Sequence, residues 1–440
     1  MVFLRSRGQP GLRKVLAMTT EREAAVLINL KEQERTEVLL RPEEATLLRE
    51  TFRFEVLPCS PAQQTDVPIA NGRSPYTVNP WQYVGHFILA GGTTVNIRPK
   101  IPAANVFRML AYVYASWSGQ LFEEADVVYT HDEFLFEPMV QMFNQLVAKR
   151  ARRGLVQDYI HNQDNLRVLK GVVKFSPHLR NNVPAHPDRL FCGFYENTCD
   201  VEDNQIIKWT LRALSGFSSI WSDHTLRTLR ANFHQFEAVS PNRPDRSAFE
   251  RRHYHRLNED YRLIHSLCRL FLDASSISET PGEIPFRGFR LDMNELFERF
   301  VTEAFRRAAR GTSFSILAQK AFSLSEQSSD FSVTIIPDVT IFGQGTVVSI
   351  VDAKYKRTDS GFANHDFYQV LAYGTALNCP HTYLFFPTSE YAKDGQIKVK
   401  QSPVTIDIRR VDITDDRCVQ LVEEAARQVL AESHLAMVAA

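Results

Sequence analysis

The sequence predicts a mixed α/β protein, in which a β-rich N-terminal unit and a mainly helical middle region precede a C-terminal mixed sheet flanked by helices. Near the N-terminus, short runs rich in Val, Ile, Leu and Thr are separated by turn residues, as strands are. Between residues 131 and 280, apolar residues recur mainly at helical spacing. From residue 281 onward, a helical pattern is followed by three strand patterns, a second helix and a further strand. This order predicts one sheet covered by helices.

The 440 residues are predicted to divide into four segments. Residues 1–17 contain four basic and no acidic residues and lack the continuous apolar core of a signal peptide, which predicts a flexible tail. Residues 18–130 form the β-rich unit, and residues 131–280 form the mainly helical linking region. Residues 281–440 form the C-terminal domain.

The N-terminal unit is predicted to contain short strands around one helix. The strands are expected at AAVLINL (24–30), at TEVLL (36–40), at FRFEVLP (52–58) and within 83–101, and the helix is expected at 41–50. A passage rich in Pro, Gly, Ser and Asn at 58–80 is predicted to be a loop or linker.

The chain has 51 Lys and Arg and 51 Asp and Glu, so its net charge does not favour nucleic acid binding. Any contact with nucleic acid is therefore expected at a locally basic segment. One basic segment, Lys149–Gly154, leads into a region where basic and aromatic side chains alternate, which suits phosphate contacts with stacking. Its members are Arg167, Lys170, Lys174, Arg180, Tyr159, His161 and Phe175. This region is the predicted DNA-contacting part of 131–280. The alternative is a solvated helix end whose cations complement the helix dipole.

Cysteine usage and hydropathy predict a cytoplasmic protein without a membrane contact. The six cysteines lack Cys-x-x-Cys or zinc-finger spacing, which indicates reduced thiols. A metal site formed by Cys192, Cys199, His178 and His186 is the less favoured alternative. No run of 18 apolar residues occurs.

Two aspartates stand inside apolar sequence between Ile336 and Lys356. The runs 333–342 and 347–355 are typical of strands, and Gly343-Gln344-Gly345 is typical of a hairpin turn. Alternation along the second strand places Asp352 and Lys354 on one face, and the hairpin register can bring Asp338 beside Asp352. A carboxylate in apolar surroundings needs a partner, because an unpaired buried charge costs several kcal/mol.

This cluster of two carboxylates and a lysine suggests metal-dependent chemistry. Carboxylate oxygens side by side are suitable ligands for Mg²⁺, which keeps positions open for water and a phosphate oxygen. An adjacent lysine can orient the attacking water. The alternative is a surface ion pair, worth about 0 to 1 kcal/mol.

Two helices flank the hairpin in the sequence. The segment Asp292–Arg310 is strongly amphipathic and contains Glu298. The segment Asn364–Leu377 places Gln369 and Tyr373 four residues apart on one helix face, although ordinary helix packing is the alternative for both side chains. The strand HTYLFFP follows at 381–387.

In this order of motifs the chain resembles the PD-(D/E)XK nuclease superfamily and, within it, the McrC family of McrBC restriction systems. The matching features are Pro337-Asp338, Asp352-Ala353-Lys354, the Gln369–Tyr373 helix and the preceding MNELFERFV at 293–301. Upstream blocks at 96–112, 169–175 and 191–214 extend the resemblance over roughly residues 80 to 390. It implies a restriction-endonuclease-like core in 281–440.

The resemblance also implies the roles of the site residues. Asp338 and Asp352 would bind Mg²⁺, helped by the Ala353 carbonyl and by Glu298, with Glu295 as the alternative acid. Lys354 would position the attacking water and stabilise the charge of the transition state. Gln369 and Tyr373 would lie beside the metal and the scissile phosphate.

The expected function is Mg²⁺-dependent endonuclease cleavage of modified, methylcytosine-containing double-stranded DNA. The chain contains no GxxxxGK[ST] phosphate loop, so nucleotide binding by that route is not expected. The resemblance implies a separate McrB-like AAA+ GTPase hexamer, which binds GTP and docks on residues 18–130. Two alternatives remain: a PD-(D/E)XK nuclease of another DNA repair or defence complex, and a non-catalytic adaptor of an NTPase.

Overall fold

The chain folds into several sheets and helices, and the predicted mixed α/β class is confirmed. Within its described residues, the computed structural model contains five sheets and eleven helices. Those residues are 26–59, 72–89, 92–114, 136–182, 186, 188–218, 220–256, 258–274, 286–324, 333–356, 363–388 and 394–439. The predicted tail at 1–17 lies outside them.

The N-terminal unit consists of two sheets that share one apolar cluster. Its elements are β1 (Leu27–Lys31), β2 (Thr36–Leu40), α1 (Pro42–Glu50), β3 (Glu55–Pro58), β4 (Ser74–Asn79), β5 (Tyr83–Leu89) and β6 (Thr94–Arg98). One sheet has the order β2-β4-β3. The second has β1, β6 and β5 followed by β10 (Phe286–Asp292), which pairs antiparallel with β5. This second sheet therefore joins two segments that are distant in the sequence.

Strand β4 corrects the prediction of a loop over the whole of 58–80. It is the central strand of its sheet, although Pro75 is its second residue. Proline lacks an N–H, but its carbonyl still accepts a hydrogen bond from the Cys59 amide at 3.1 Å. Pairing with strands on both sides outweighs the local turn composition. Residues 60–71 of the predicted loop lie outside the described part.

The middle region combines helices with a small sheet. Its helices are α2 (Ala103–Tyr114), α3 (Glu137–Arg153), α4 (Phe175–Asn181), α5 (Glu202–Ser215), α6 (Asp223–Gln235), α7 (Arg246–Glu250) and α8 (Tyr261–Ala274). The strands β7 (Asp158–Leu166), β8 (Val172–Val173) and β9 (Leu190–Thr198) form an antiparallel sheet in the order β7-β9-β8. Strand β7 gave no sequence signal because its side chains are mostly polar and exposed.

The C-terminal region has a six-stranded mixed sheet in the order β11-β14-β15-β16-β18-β17. These strands are β11 (Phe314–Ala318), β14 (Val339–Gly343), β15 (Thr346–Ala353), β16 (His381–Pro387), β17 (Gly395–Lys398) and β18 (Thr405–Val411). Strands β15, β16 and β18 are parallel, and the other neighbours are antiparallel. A separate pair is formed by β12 (Phe322–Ser323) and β13 (Thr334–Ile335).

Helices cover both faces of this sheet. They are α9 (Met293–Ala308), α10 (Asn364–Ala376) and α11 (Cys418–Ala439). Phe305 of α9 and Val422 of α11 belong to the same apolar cluster as Val351 of β15. Val370 of α10 packs in a second cluster with Ile350, the preceding residue on β15. Alternate residues of β15 therefore enter opposite layers, as the pleat of a strand requires.

A buried glutamate connects the N-terminal unit to the end of β15. Glu32 follows β1 and is 2% exposed. Its Oε2 atom accepts hydrogen bonds from the Tyr355 hydroxyl at 3.2 Å and from the Lys100 amide at 3.1 Å. The Lys100 ammonium lies 4.0 Å from the centroid of the Tyr355 ring. Burial raises the pKa of Glu32 from 4.5 to about 7, and Lys100 offsets part of that effect.

The raised pKa predicts a pH-dependent effect of Glu32→Gln on stability. The folded state favours the protonated form, so its contribution is complete below the ordinary pKa of 4.5 and is lost as the pH rises through about 7. We expect the variant to melt a few degrees above wild type at pH 8 and close to wild type at pH 5, in thermal unfolding followed by circular dichroism. Glu37→Gln, at an exposed position of β2, is the control. An equal gain at both pH values would contradict the assignment.

Candidate active site

The candidate site is built on the hairpin of β14 and β15. A two-residue turn connects these strands, and its residues Gln344 and Gly345 have φ angles of 50° and 85°, as a type I′ turn requires. The register pairs Val339 with Val351. Asp338, immediately before β14, therefore reaches the end of β15, where its Oδ2 atom accepts a hydrogen bond from the Ala353 amide at 2.8 Å. The hairpin and the proximity that the sequence predicted are both present.

Asp352 and Lys354 form an ion pair at the end of β15. The Lys354 ammonium lies 2.7 Å from Oδ2 of Asp352, and the two side chains are 19% and 1% exposed. Within the described part of the chain, Oδ1 of Asp352 is buried and has no hydrogen-bond partner. The Lys354 backbone is fixed by its amide, which donates to the Phe385 carbonyl of β16 at 2.8 Å. One carboxylate oxygen is thus held in place without a donor.

Glu298 enters the site from α9 and is connected to Asp338 through Gln319. Asp292 caps the start of α9, where its Oδ1 atom accepts from the Asn294 amide at 2.9 Å and the Glu295 amide at 3.3 Å. The side-chain amide of Gln319 donates to Oε1 of Glu298 and, at 2.9 Å, to Oδ1 of Asp338. Glu295 instead pairs with Arg299. Of the two acids considered from the sequence, Glu298 is the one connected to the aspartates.

Burial and mutual repulsion make the three acids hard to ionise together. Burial, reinforced by Glu298, raises the pKa of Asp338 to about 6. Burial, reinforced by Asp338, raises the pKa of Asp352 to about 7. Burial and then Asp352 raise the pKa of Glu298. A cation that relieved this repulsion would stabilise the ionised cluster.

Lys354 supplies only part of that positive charge. Burial opposes its charged form, but the neighbouring Asp352 and Asp338 outweigh burial and raise the pKa of Lys354 above its ordinary value. Lys354 is therefore a permanent cation at neutral pH. It faces three acids, so the cluster remains short of positive charge when all of them ionise.

Gln369 and Tyr373 lie together on α10 beside this cluster. The Gln369 amide donates to the Tyr373 hydroxyl at 2.5 Å, and that hydroxyl donates to the Ile336 carbonyl at 3.2 Å. Burial raises the pKa of Tyr373, and the charge of Asp352 contributes to the same effect. Tyr373 is close enough to respond to the charge of the aspartates, and it anchors α10 to the segment that leads to Asp338.

Sequence reasoning missed two participants, Gln319 and Asp366. Gln319 follows β11 directly, and its amide donates to the Asp338 carbonyl at 3.2 Å. A polar residue at the end of an apolar strand is a weak signal, and only the pairing of β11 with β14 places it opposite Asp338. Asp366 is 1% exposed in the first turn of α10, and Lys356 contacts it at 2.7 Å. Its charge contributes to the raised pKa of Asp352.

The carboxylates of Asp338, Asp352 and Glu298 are suitable ligands for a hard cation, although hydrogen bonds and an ion pair already occupy some of their oxygens. Among the described residues, no group of three or more His, Cys, Asp or Glu side chains is already arranged around a metal position. Both oxygens of Asp338 accept hydrogen bonds, and Lys354 contacts one oxygen of Asp352. The buried Oδ1 of Asp352 and the three raised carboxylate pKa values show where positive charge is missing. Oxygen ligands of this type suit Mg²⁺.

Fold and site together define a mixed α/β protein with an acidic cluster and a partly buried lysine at a sheet end. A family model described as the McrBC 5-methylcytosine restriction system component matches residues 78–387. The chain therefore belongs to the McrBC family of restriction-system components.

Similar proteins include a curated relative and chains of solved structures. The chain is 25% identical over 289 residues to the type IV methyl-directed restriction enzyme EcoKMcrBC of Escherichia coli K12, covering 63% of this chain and 81% of that protein. It is similar in fold to a chain of the half-complex from the tetradecameric assembly of Thermococcus gammatolerans McrB AAA+ hexamers with bound McrC. That match has a TM-score of 0.56 and 16% identity, and it covers 92% of this chain and 100% of the other. A chain of the T. gammatolerans McrBC complex matches with a TM-score of 0.43 and 20% identity, over 64% and 88% of the two chains.

These findings correct the narrower prediction of the McrC family, which is wrong. The matching family model describes a component of the McrBC system and selects no subunit. The curated relative is named for the whole EcoKMcrBC enzyme, and the structural match comes from an assembly of McrB hexamers with bound McrC. Membership of the McrBC family is the level that the comparisons support. Separately, none of the helices in the described part of the chain has the length and apolar character needed to span a membrane.

The position of Gln319 predicts the effect of Gln319→Glu. The variant places another carboxylate beside Glu298 and Asp338, so we expect thermal unfolding in EDTA at pH 8 to show a loss of stability on the order of 1 kcal/mol, since solvent screens part of the repulsion. Mg²⁺ should reverse most of that loss. The control is Gln396→Glu, because the Gln396 amide also contacts a carboxylate, Asp407 at 3.2 Å, but on an exposed strand. Equal effects of the two variants, with or without Mg²⁺, would contradict the proposed electrostatics of the site.

Proposed function

We propose that this chain is the Mg²⁺-dependent DNA endonuclease component of a McrBC-type restriction system. The observation that carries the proposal is the cluster of buried Asp338 and Asp352 with the partly exposed Lys354, in which one oxygen of Asp352 lacks a donor. A surface ion pair does not account for it, because Asp352 is 1% exposed and the acids raise one another's pKa. The cluster is an arrangement that a metal ion would complete.

The residues that would hold Mg²⁺ are Asp338, Asp352, Glu298 and the carbonyl of Ala353. When bound, Mg²⁺ would supply a Lewis acid that offsets charge on the phosphate and lowers the pKa of a coordinated water. Gln319 holds the carboxylates of Glu298 and Asp338 close together, since its side-chain amide donates a hydrogen bond to each. The Ala353 amide fixes the Asp338 carboxylate from the other side.

Lys354 is the residue proposed to act directly on the reacting groups. Its ammonium stays protonated, because Asp352 and Asp338 outweigh the effect of burial on its pKa. It can therefore donate hydrogen bonds to the attacking water and to a phosphate oxygen as negative charge develops. The Lys354 side chain is 19% exposed, so part of it faces the solvent from which a substrate would approach. Gln369 and Tyr373 are proposed to contact the scissile phosphate from α10.

The region 281–440 is proposed to be a PD-(D/E)XK-type core. The supporting observations are the mixed sheet, the hairpin that carries Asp338 and Asp352, and helices on both faces. Helix α9, which contributes Glu298, directly follows the strand that pairs with β5. The boundaries at 17/18, 130/131 and 280/281 remain part of this proposal.

The proposed substrate is modified, methylcytosine-containing double-stranded DNA. The supporting relative is named as a methyl-directed restriction enzyme, and the family description names 5-methylcytosine. The proposed partner is an AAA+ GTPase hexamer of the McrB type, which would bind GTP and dock on residues 18–130. The solved assembly with the similar chain contains McrB AAA+ hexamers. Activity in the cytoplasm is part of the same proposal.

Two other functions lead to different experimental outcomes. Family membership favours restriction over a nuclease of an unrelated repair complex. A non-catalytic adaptor would keep the fold without needing the charges of the cluster. A protein in which apolar residues replace a buried ion pair is often at least as stable as the original. The presence of Asp338, Asp352 and Lys354 together therefore favours catalysis.

Lys354→Ala is predicted to abolish cleavage without preventing assembly. Removal of a group that stabilises transition-state charge should lower the rate roughly 100-fold or more. Plasmid cleavage is measured in Mg²⁺, with methylated and unmethylated DNA, and with and without the AAA+ partner and GTP. Wild type should cleave only methylated plasmid and only with partner and nucleotide.

Lys398→Ala, an exposed lysine on β17, is the matched control and should cleave like wild type. Gel filtration with the partner checks that the Lys354 variant still assembles. If wild type and Lys354→Ala cleave alike, the cluster is not the catalytic centre. If neither cleaves but both accelerate GTP hydrolysis by the partner, the chain is an adaptor.

A further inference from the structure

The sheet of the middle region has one face that carries exposed aromatic rings. In the register of β7 and β9, His161 is opposite Tyr195, and Tyr159 is opposite Asn197, so these side chains share one face. Tyr159 and Tyr195 are 67% and 68% exposed. The rings of His161 and Tyr195 are in contact, with centroids 5.1 Å apart and planes at 62°. We call this surface, completed by Val172 and Lys174, the aromatic face.

Acidic side chains are confined to the opposite face of the same sheet. The carboxylates of β7 and β9 are Asp158, Asp164 and Glu196, and all three stand at positions that alternate with the aromatic face. Lys170 is associated with that acidic face, since it pairs with Glu196 at 3.2 Å and lies 4.1 Å from the Phe194 ring centroid. The aromatic face therefore has aromatic rings and the Lys174 ammonium, and none of the carboxylates of β7 and β9.

Lys174 crosses this face through a space that only glycine provides. A Cβ atom added to Gly193 would lie 2.4 Å from Cε of Lys174 and 3.2 Å from Nε2 of His161. The ammonium of Lys174 is therefore held beside the His161 ring, over the middle of β9. Lys174 forms no ion pair with any residue in the described part of the chain. Its charge is available to an anion that contacts the rings.

Among the described residues, the side chains in the aromatic half of this face are open to solvent, since Tyr159 and Tyr195 are 67% and 68% exposed. Helix α4 lies at the other end of the sheet, where the side-chain amides of Asn182 and Asn165 exchange hydrogen bonds of 2.7 and 2.9 Å. On α4 itself, Phe175 and Leu179 are 74% and 60% exposed. Exposed apolar side chains concentrated in one small unit indicate a binding surface.

We propose that the aromatic face binds single-stranded nucleic acid, with unpaired bases stacked on Tyr159 and Tyr195 and a phosphate bound by Lys174. Every base offers a flat face to an aromatic ring, and a cation beside the rings contacts the backbone between stacked bases. A duplex keeps its base faces stacked on one another, so it cannot use the rings in this way. This inference rests on the proposed function, because a chain that cleaves DNA also contacts DNA strands away from its catalytic centre. The further claim is that the DNA strand bound at the aromatic face is single-stranded.

Charge complementarity distinguishes this occupant from a protein partner. The rings, His161 and an unpaired lysine match a polyanion with flat bases, whereas the acidic side chains point away from it. In the basic segment at Lys149–Gly154, Arg150 and Arg153 both contact Asp260, at 3.3 and 4.0 Å. Phosphate contact is therefore assigned to Lys174 and not to those arginines.

Fluorescence anisotropy with a labelled oligothymidylate and a labelled duplex tests the proposal in EDTA, which prevents Mg²⁺-dependent cleavage. Tyr195→Ala should weaken single-strand binding at least about 5-fold, the lower end of a base-stacking contribution. Tyr195→Phe keeps the ring and should bind like wild type. Lys174→Ala should weaken binding and reduce the slope of log affinity against log salt by about 0.7, the value for one phosphate on a single strand.

Lys170→Ala is the matched control, because it removes the same charge from the opposite face and should leave single-strand binding unchanged. Equal weakening by Lys170→Ala and Lys174→Ala overturns the proposal, and so does stronger binding of duplex than of single strand by wild type. If Tyr195→Ala keeps single-strand binding but loses the AAA+ partner in gel filtration, the face is a protein interface. Failure of the proposed function would appear separately, as unchanged plasmid cleavage by Lys354→Ala.

Discussion

The register of one hairpin is the constraint on which the candidate site depends. A two-residue turn sets β14 against β15, and this pairing brings the carboxylate of Asp338 to the Ala353 amide at 2.8 Å. A slip of one residue would turn Asp352 and Lys354 to the other face of β15, toward α9 and α11. Burial of Val351 and Ala353 in that layer opposes such a slip. Packing of ordinary apolar residues thus fixes the position of the charged ones.

The charged cluster destabilises the fold, and side chains from several helices and strands surround it. Helix α9 brings Glu298, β11 ends at Gln319, and α10 supplies Asp366, Gln369 and Tyr373. Gln319 donates hydrogen bonds to two of the acids, and Asp366 adds to the repulsion on Asp352. Gln369 donates to Tyr373, which anchors α10 to the Ile336 carbonyl near Asp338. Such an accumulation of raised carboxylate pKa values is typical of functional sites. It is difficult to explain as a device for stability, because buried ion pairs seldom stabilise a fold more than apolar packing does.

The N-terminal unit and the site are physically continuous. Strand β10 completes the sheet of β1, β6 and β5 and then leads directly into α9, whose N-cap is Asp292. On the other side, Tyr355 follows Lys354 in the chain and donates its hydroxyl to Glu32 of the N-terminal unit. A displacement of that unit would therefore reach both α9 and the end of β15. This arrangement provides a structural route by which the partner proposed to dock on that unit would influence the cluster.

The sequence by itself determined the local elements of the C-terminal region and the residue types of the site. Hydrophobic periodicity predicted α9, α10, β16 and the hairpin within a few residues. The Asp292 cap marks the start of α9, and Gln344 and Gly345 mark the turn of the hairpin. The sequence did not predict β4, with its proline, or β7, with its polar side chains, since pairing with neighbouring strands decides both. It also missed Gln319 and Asp366, and it assigned a single subunit where the comparisons support only the McrBC family. Only the tertiary structure decided which acidic side chains lie close together. The distance between side chains depends on strand order and helix packing, and local sequence composition determines neither.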